Sequence, residues 1–145
     1  MRAVIQRVIH GKVTVDTNSI AEIGTGLVIL IGVEHDDDHT KAVSLAHKIA
    51  NLRIFNDAEG KMNLSLLDIK GSAIVVSQFT LMADTRKGNR PSFMNAASPQ
   101  IANPLVQDFA DQLLQLGIET QRGEFGAHMI VEIINDGPVT IEMQV

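Results

Sequence analysis

Ile130-Val131-Glu132-Ile133-Ile134-Asn135-Asp136-Gly137-Pro138-Val139-Thr140-Ile141-Glu142-Met143-Gln144-Val145 is the stretch from which the fold is read outward. Both flanks are apolar or β-branched with partial period-2 alternation, the signature of a strand. Between them Asn135, Asp136, Gly137 and Pro138 are residues that supply unusual backbone angles or fix φ. The plain reading is a tight connection between two closing strands. The alternative is that Gly137-Pro138 acts chemically through its backbone, and nothing local decides between them.

The preceding chain supplies the partners. Residues 3 to 9 alternate as a strand, with Gln6 and Arg7 on opposite faces. Gly11 permits a bend or bulge before Val13-Thr14-Val15. A polar turn at Asp16 to Ser19 leads to a short strand over Ile20 to Ile23. Leu27 to Ile31 lacks alternation, as expected of a strand covered on both faces. Glu34 to Thr40 opens a helix, with carboxylates where helix N-termini favour them. Ala42, Leu45, Ala46, Ile49 and Leu52 then form one apolar stripe. Arg53-Ile54-Phe55 starts a further strand, Asn56 to Lys61 is a turn, and Met62 to Asp68 is irregular or briefly helical. Ala73 to Leu81 is the second buried strand. A second helix begins between Ser98 and Pro104, since Ser98-Pro99 and Asn103-Pro104 each fit a cap followed by proline. It ends near Gly117, and Ile118 to Gln121 precedes the closing stretch. The order predicts one α+β domain over residues 1–145, with two main helices packed on a curved, mixed sheet or barrel.

Composition narrows the function classes. The chain has 145 residues, 45% hydrophobic and 20% charged, enough for one real core. With no cysteine there is no disulfide, thiolate metal site or cysteine nucleophile. The N-terminus does not resemble a signal peptide, and the longest apolar run, Gly26 to Val33, is too short to span a bilayer. A cytoplasmic setting without membrane attachment is the expectation. A net charge of −5 argues against coating DNA or RNA by bulk electrostatics, and leaves room for a small basic patch gripping one RNA end. The absence of tyrosine and tryptophan argues against a base-stacking platform.

Candidate chemistry follows. His35-Asp36-Asp37-Asp38-His39 is explained more cheaply as a capping turn than as a metal site, and no metal or other cofactor is expected. Gly24-Thr25-Gly26 lacks dinucleotide spacing. The histidines fall in no nucleophile–base motif. Ser77-Gln78-Phe79-Thr80 stands out because polar side chains interrupt an apolar strand at its end. Buried without partners, such groups cost about 1–3 kcal/mol each, so they either satisfy a strand terminus or rim a pocket.

Ser77-Gln78-Phe79-Thr80-Leu81 together with Asn135-Asp136-Gly137-Pro138-Val139-Thr140 resembles the signature pair of the D-aminoacyl-tRNA deacylases, the D-tyrosyl-tRNA deacylase family. The similarity runs nearly end to end. It includes Gln6-Arg7-Val8, Ile23-Gly24-Thr25-Gly26-Leu27, Gly60-Lys61-Met62-Asn63 and Arg90-Pro91-Ser92-Phe93. Gly11 and His128 depart from the residues more familiar in the family. The resemblance implies a cytoplasmic homodimer that hydrolyses the ester between a D-amino acid and the terminal ribose of tRNA, and a filter built only on exclusion should also admit glycine, which has no handedness. It implies a cis Gly137-Pro138 peptide whose carbonyls enter the partner subunit's site and exclude an L side chain. It places main-chain N–H groups around Gln78 and Phe79 at the scissile carbonyl, with Ser77 at the rim and Thr80 as the side-chain nucleophile candidate. Water attack assisted by the ribose 2′-hydroxyl is the preferred route, since no base adjoins Thr80. Arg7 then braces the Gly-Pro loop or faces substrate, Met129 lines the pocket, and Arg86, Lys87 and Arg90 meet acceptor-stem phosphates. The rival readings are a non-catalytic RNA-binding or proofreading module, and a small-molecule-binding dimer of the same fold.

Overall fold

The computed structural model describes residues 1–145. Its organising strand is β1, Arg2–Val15, which is flanked on both edges. On one edge its first half pairs antiparallel with β3, Gly26–Gly32, and its second half with β2, Asn18–Ile23. On the other edge β8, Ile130–Gln144, runs antiparallel along nearly all of it. Beyond β3 lie β6, Ser72–Ser77, and β7, Thr120–Arg122, both in parallel register. A separate two-stranded ribbon joins β4, Phe55–Asn56, to β5, Met62–Leu64, so the segment expected to be irregular begins with a strand. The sheet curls until β7 meets β2 through one side chain. The Gln121 amide donates to the Glu22 carbonyl and accepts from the Glu22 N–H, each at 2.8 Å.

Strand alternation sorts the apolar residues into two cores. Leu27, Ile29, Ile31, Ala73 and Val75 face the helices, while Val28, Ile74 and Val76 face the inside of the curl with Val8 and Val13. Both faces of β3 and β6 are covered, which is why these segments read as continuous apolar runs. Helix α1, His39–Ala50, begins at the N-cap Asp38, whose carboxylate accepts from the Lys41 N–H at 2.9 Å. Helix α2, Pro99–Gln115, takes Ser98-Pro99 as its start and carries Pro104 inside. Gly117 follows it at φ +89°.

Three expectations change. First, the closing stretch is one strand, not two strands paired across a turn. Both flanks pair with β1, and the four residues Asp136 to Val139 loop out opposite the single residue Arg7. The odd surplus swaps the inward face: Val131 and Ile133 pack in the curl, whereas Val139, Ile141 and Met143 pack on the helix side. Second, the bulge expected at Gly11 falls just before it, where Ile9 has no partner between the Val8–Asn135 and His10–Ile134 pairs, and β1 runs on through Gly11. Gly11 is buried where a Cβ would lie 2.7 Å from Val28 Cγ2, so glycine is there for close strand approach. Third, β6 stops at Ser77, and Phe79–Met82 is a 3₁₀ turn, which lifts Phe79 and Thr80 out of the sheet.

The terminal ammonium of Met1 is buried against the chain's other end. It donates to Asp37 Oδ1 at 2.6 Å and to the Val145 carbonyl at 2.9 Å. Burial pushes the Asp37 carboxyl up, but hydrogen bonds from this ammonium, the Glu34 N–H and Lys41 outweigh it and hold it below its usual range. No helix is long and apolar enough to cross a membrane.

Candidate active site

A cavity of about 540 Å³ opens where β6 ends, between the curl and the start of α2. Ser77, Gln78 and Phe79 form its rim, with Ile31 and Gly32 from β3 on one side and Phe125 to Met129 on the other. Twelve of its eighteen lining residues are hydrophobic, so it is built to hold an apolar or aromatic group with a few polar contacts. His128 is its one ionisable side chain. Sequence reasoning found Ser77, Gln78, Phe79 and Met129 but did not place Phe125 to His128 on the wall, although His128 stood out as a departure from the family.

At the rim, backbone donors are divided by secondary structure. The Gln78 N–H donates to the Ile31 carbonyl at 2.7 Å, continuing the β3–β6 ladder. It is therefore committed, and the expectation of a free donor at Gln78 does not hold. Phe79 and Thr80 open the 3₁₀ turn, where the first N–H groups have no intrahelical acceptor. The Phe79 ring meets Phe93 edge-on, with centroids 5.0 Å apart. Thr80 Oγ1 accepts a hydrogen bond from Gln78 Nε2, and no acid or imidazole is hydrogen-bonded to it to act as a base.

The second signature segment is held differently. Gly137-Pro138 is cis, and Gly137 lies at φ +125°, where side-chain-bearing residues are strained. Asn135 clamps the loop from below: its Oδ1 accepts from the Val139 N–H and its Nδ2 donates to Thr140 Oγ1, both at 2.9 Å. Arg7 clamps it from the side. Its Nε donates to the Asp136 carbonyl at 3.0 Å, and its Nη1 to the Ile54 carbonyl at 2.6 Å. The Arg7 side chain is 8% exposed and pairs with the half-exposed Asp136 carboxylate at 3.2 Å. Of its two expected roles, bracing the loop is the one its contacts serve. A Cβ on Gly137 would approach Val139 Cγ2 to 2.9 Å and Arg7 Nη2 to 3.0 Å.

The two segments do not meet within one chain. No residue of Asn135 to Thr140 lines the cavity. Gly137 and Pro138 are exposed on the sheet edge. Val131, which does line the cavity, pairs with Val13, while Arg7 lies six residues along β1, roughly 20 Å of strand. Along this edge, Ile9 and Ile134 near the loop and Ile130 at the far end of β8 are 56%, 51% and 60% exposed.

The basic stretch sits on an excursion pinned by the Asp84–Ser92 main-chain bridge. Arg86 is engaged there, forking onto both Asp84 carboxylate oxygens at 2.9 and 2.7 Å. That guanidinium holds the Asp84 carboxyl down to about 2. Lys87 and Arg90 are exposed. The acidic turn expected to cap a helix does so, and its members diverge: Asp37 takes the terminal ammonium, His39 meets Asp108, and His35 Nε2 meets the Met94 carbonyl.

With this geometry in hand, the comparisons are specific. The family model for D-Tyr-tRNA(Tyr) deacylase matches residues 4–144. A D-aminoacyl-tRNA deacylase of Thermomicrobium roseum is 58% identical over 141 residues, covering 97% of this chain and 92% of that protein. One from Idiomarina loihiensis is 53% identical over 145 residues and covers both chains completely. Among solved structures, the c-Myc DNA Unwinding Element Binding Protein matches with a TM-score of 0.94 at 39% identity, over 100% of this chain and 99% of its own. A probable eukaryotic D-amino acid tRNA deacylase shares the fold at a TM-score of 0.86 and 16% identity, over 99% and 98% of the two chains. A full-length match of this kind, to both signature segments and to the strands that carry them, means that the chain belongs to the D-Tyr-tRNA(Tyr) deacylase family.

Proposed function

We propose that this protein hydrolyses the ester of D-aminoacyl-tRNA, and of glycyl-tRNA, as a homodimer whose sites each draw on both copies. The observation that carries the reading is the division of labour just described. One copy offers an apolar cavity with Phe79, the first residue of the 3₁₀ turn, on its rim, and the Gly137-Pro138 loop lies outside that cavity on an exposed edge of the sheet. A two-fold axis through that edge lets each loop reach the other copy's cavity, and buries Ile9, Ile130 and Ile134 in a self-complementary contact.

In this arrangement the cavity holds the terminal adenosine and the aminoacyl ester lies across Ser77 to Thr80. The Gly137 and Pro138 carbonyls of the other copy accept from the substrate's α-amino group. They leave space for hydrogen at Cα on one side only, so an L side chain collides while a D side chain points away. Handedness is read through backbone atoms and side-chain identity is ignored. Glycine passes the same test because it has no side chain to exclude.

Water then attacks the ester carbon, and the carbonyl oxygen becomes an oxyanion facing the Phe79 and Thr80 N–H groups. The terminal 2′-hydroxyl positions the water and relays its proton. The C–O bond to the ribose breaks, the 3′-oxygen leaves protonated, and the D-amino acid departs as a carboxylate. Thr80 contributes its N–H and no covalent intermediate.

Matched D- and L-aminoacyl-tRNAs test the reading. Release of the D-amino acid and glycine with the L-ester intact is expected. Tight binding of either ester without release contradicts catalysis and favours a binding module.

A further inference from the structure

A second, polar cavity of about 300 Å³ adjoins the first and shares Ser77, Val106 and Phe125 with it. Arg122 is its one charged lining residue, joined by the amides of Asn103 and Gln107. The fold explains the placement. Arg122 ends β7 beside Val75 of β6, two positions before Ser77, and the Gly123 N–H bonds to the Val75 carbonyl at 2.9 Å. The side chain is therefore carried on a fixed strand end, one short step from the rim.

The geometry points to this cavity as the seat of the phosphate on the 5′ side of the nucleoside bound in the first cavity. A guanidinium beside the amide pair in which Gln107 Nε2 donates to Asn103 Oδ1 at 3.2 Å, leaving Asn103 Nδ2 without a protein acceptor, is a donor set that suits a phosphodiester, forked and charged where neutral amides alone hold a sugar or water. Arg122 is held elsewhere only by Asp111, at 3.5 Å, with 45% and 54% of the two side chains exposed. Such a surface pair is weak and exchanges readily for a better anion. The need for a local cation is plain in a chain of net charge −5, whose overall field repels RNA. This seat rests on the deacylase reading for the identity of the nucleotide, and deepens it by saying where the tRNA backbone enters.

The test is equilibrium binding of adenosine 5′-monophosphate against adenosine to the full chain, with hydrolysis followed separately. Adenosine 5′-monophosphate is expected to bind about tenfold tighter, the scale of one charge-assisted contact. Arg122→Gln abolishes the difference, Arg122→Lys keeps part of it, and Asp111→Asn widens it by removing the competing carboxylate. Unchanged melting temperatures show that the variants fold. Equal binding of the two ligands by the wild-type protein overturns the seat, as does a difference that survives in Arg122→Gln. Inorganic phosphate that displaces the nucleotide at equal concentration marks a free-anion site and also overturns it. D-ester hydrolysis without any phosphate preference refutes the seat alone, whereas the preference without hydrolysis refutes the activity alone.

Discussion

Asn135 to Thr140 and Ser77 to Thr80 were the two conspicuous stretches, and they are built on opposite plans. The first is held by its own chain at every turn: Asn135 clamps both ends, Arg7 grips the Asp136 carbonyl, and Gly137 takes a φ of +125°. The second leaves its strand at Ser77 and enters a 3₁₀ turn, whose first N–H groups, at Phe79 and Thr80, have no acceptor within the turn. A selector has to resist displacement by the wrong substrate, so rigidity suits it. A group that stabilises developing charge has to keep its donors free until that charge appears. In the proposed site, their separation within one chain is what two copies together overcome.

The largest effect that sharpens this contrast comes from the substrate. tRNA ending in 2′-deoxyadenosine is expected to abolish D-ester turnover, while Thr80→Ala keeps activity within about threefold, because the hydroxyl lacks a base. Single-turnover kinetics on both decide it, and the reverse pattern makes Thr80 the nucleophile. Next is Phe79→Pro, which deletes the N–H at a turn position that tolerates proline. It is expected to lower kcat by about 10²–10³, the usual cost of one oxyanion donor, with little change in urea midpoint.

On the selector side the balance between activity and stability shifts. Arg7→Met strands the carbonyls of Asp136 and Ile54 and is expected to cost about 3 kcal/mol in urea unfolding. Gly137→Ala strains the loop by about 1–3 kcal/mol and displaces it, cutting D-ester turnover about 10²-fold and narrowing the D/L ratio. An intact ratio in Gly137→Ala breaks the link between rigidity and selection.

The smallest effects lie on the basic excursion. Lys87→Gln and Arg90→Gln should each lower the salt slope of tRNA binding by about 1, and Arg86→Gln by less, since Asp84 already holds it. Because Asp84 titrates at about 2 when folded, below its unfolded value, its tether is complete above that unfolded value and is lost as pH falls through about 2. Carboxyl chemical shifts across that range check the sign.

Much of this was legible in the residues. Leu27 to Ile31 and the first part of Ala73 to Leu81 announced two-sided burial, the apolar stripe from Ala42 to Leu52 announced α1, and the Ser98-Pro99 cap announced α2. The closing stretch was read as two strands joined by a tight turn because alternating flanks look alike whether they pair with each other or with a third strand. Only the register against β1 tells them apart. Gly11 was misread for a related reason: a glycine needed for close approach to Val28 has the same letter as one needed for a bend. The cavity wall from Phe125 to His128 was not recognised, since its apolar members acquire meaning only from the space they enclose and His128 stood out only as a departure from the family.

The claim that each site draws on two copies is tested most directly by mixing two crippled subunits. Phe79→Pro and Gly137→Ala, carried on differently tagged chains, are combined and the mixed dimer isolated. One of its two sites then joins an intact Phe79 to an intact Gly137, and about half of the wild-type D-ester turnover returns. If both elements of a site come from the same chain, the mixed dimer stays as inactive as its parents.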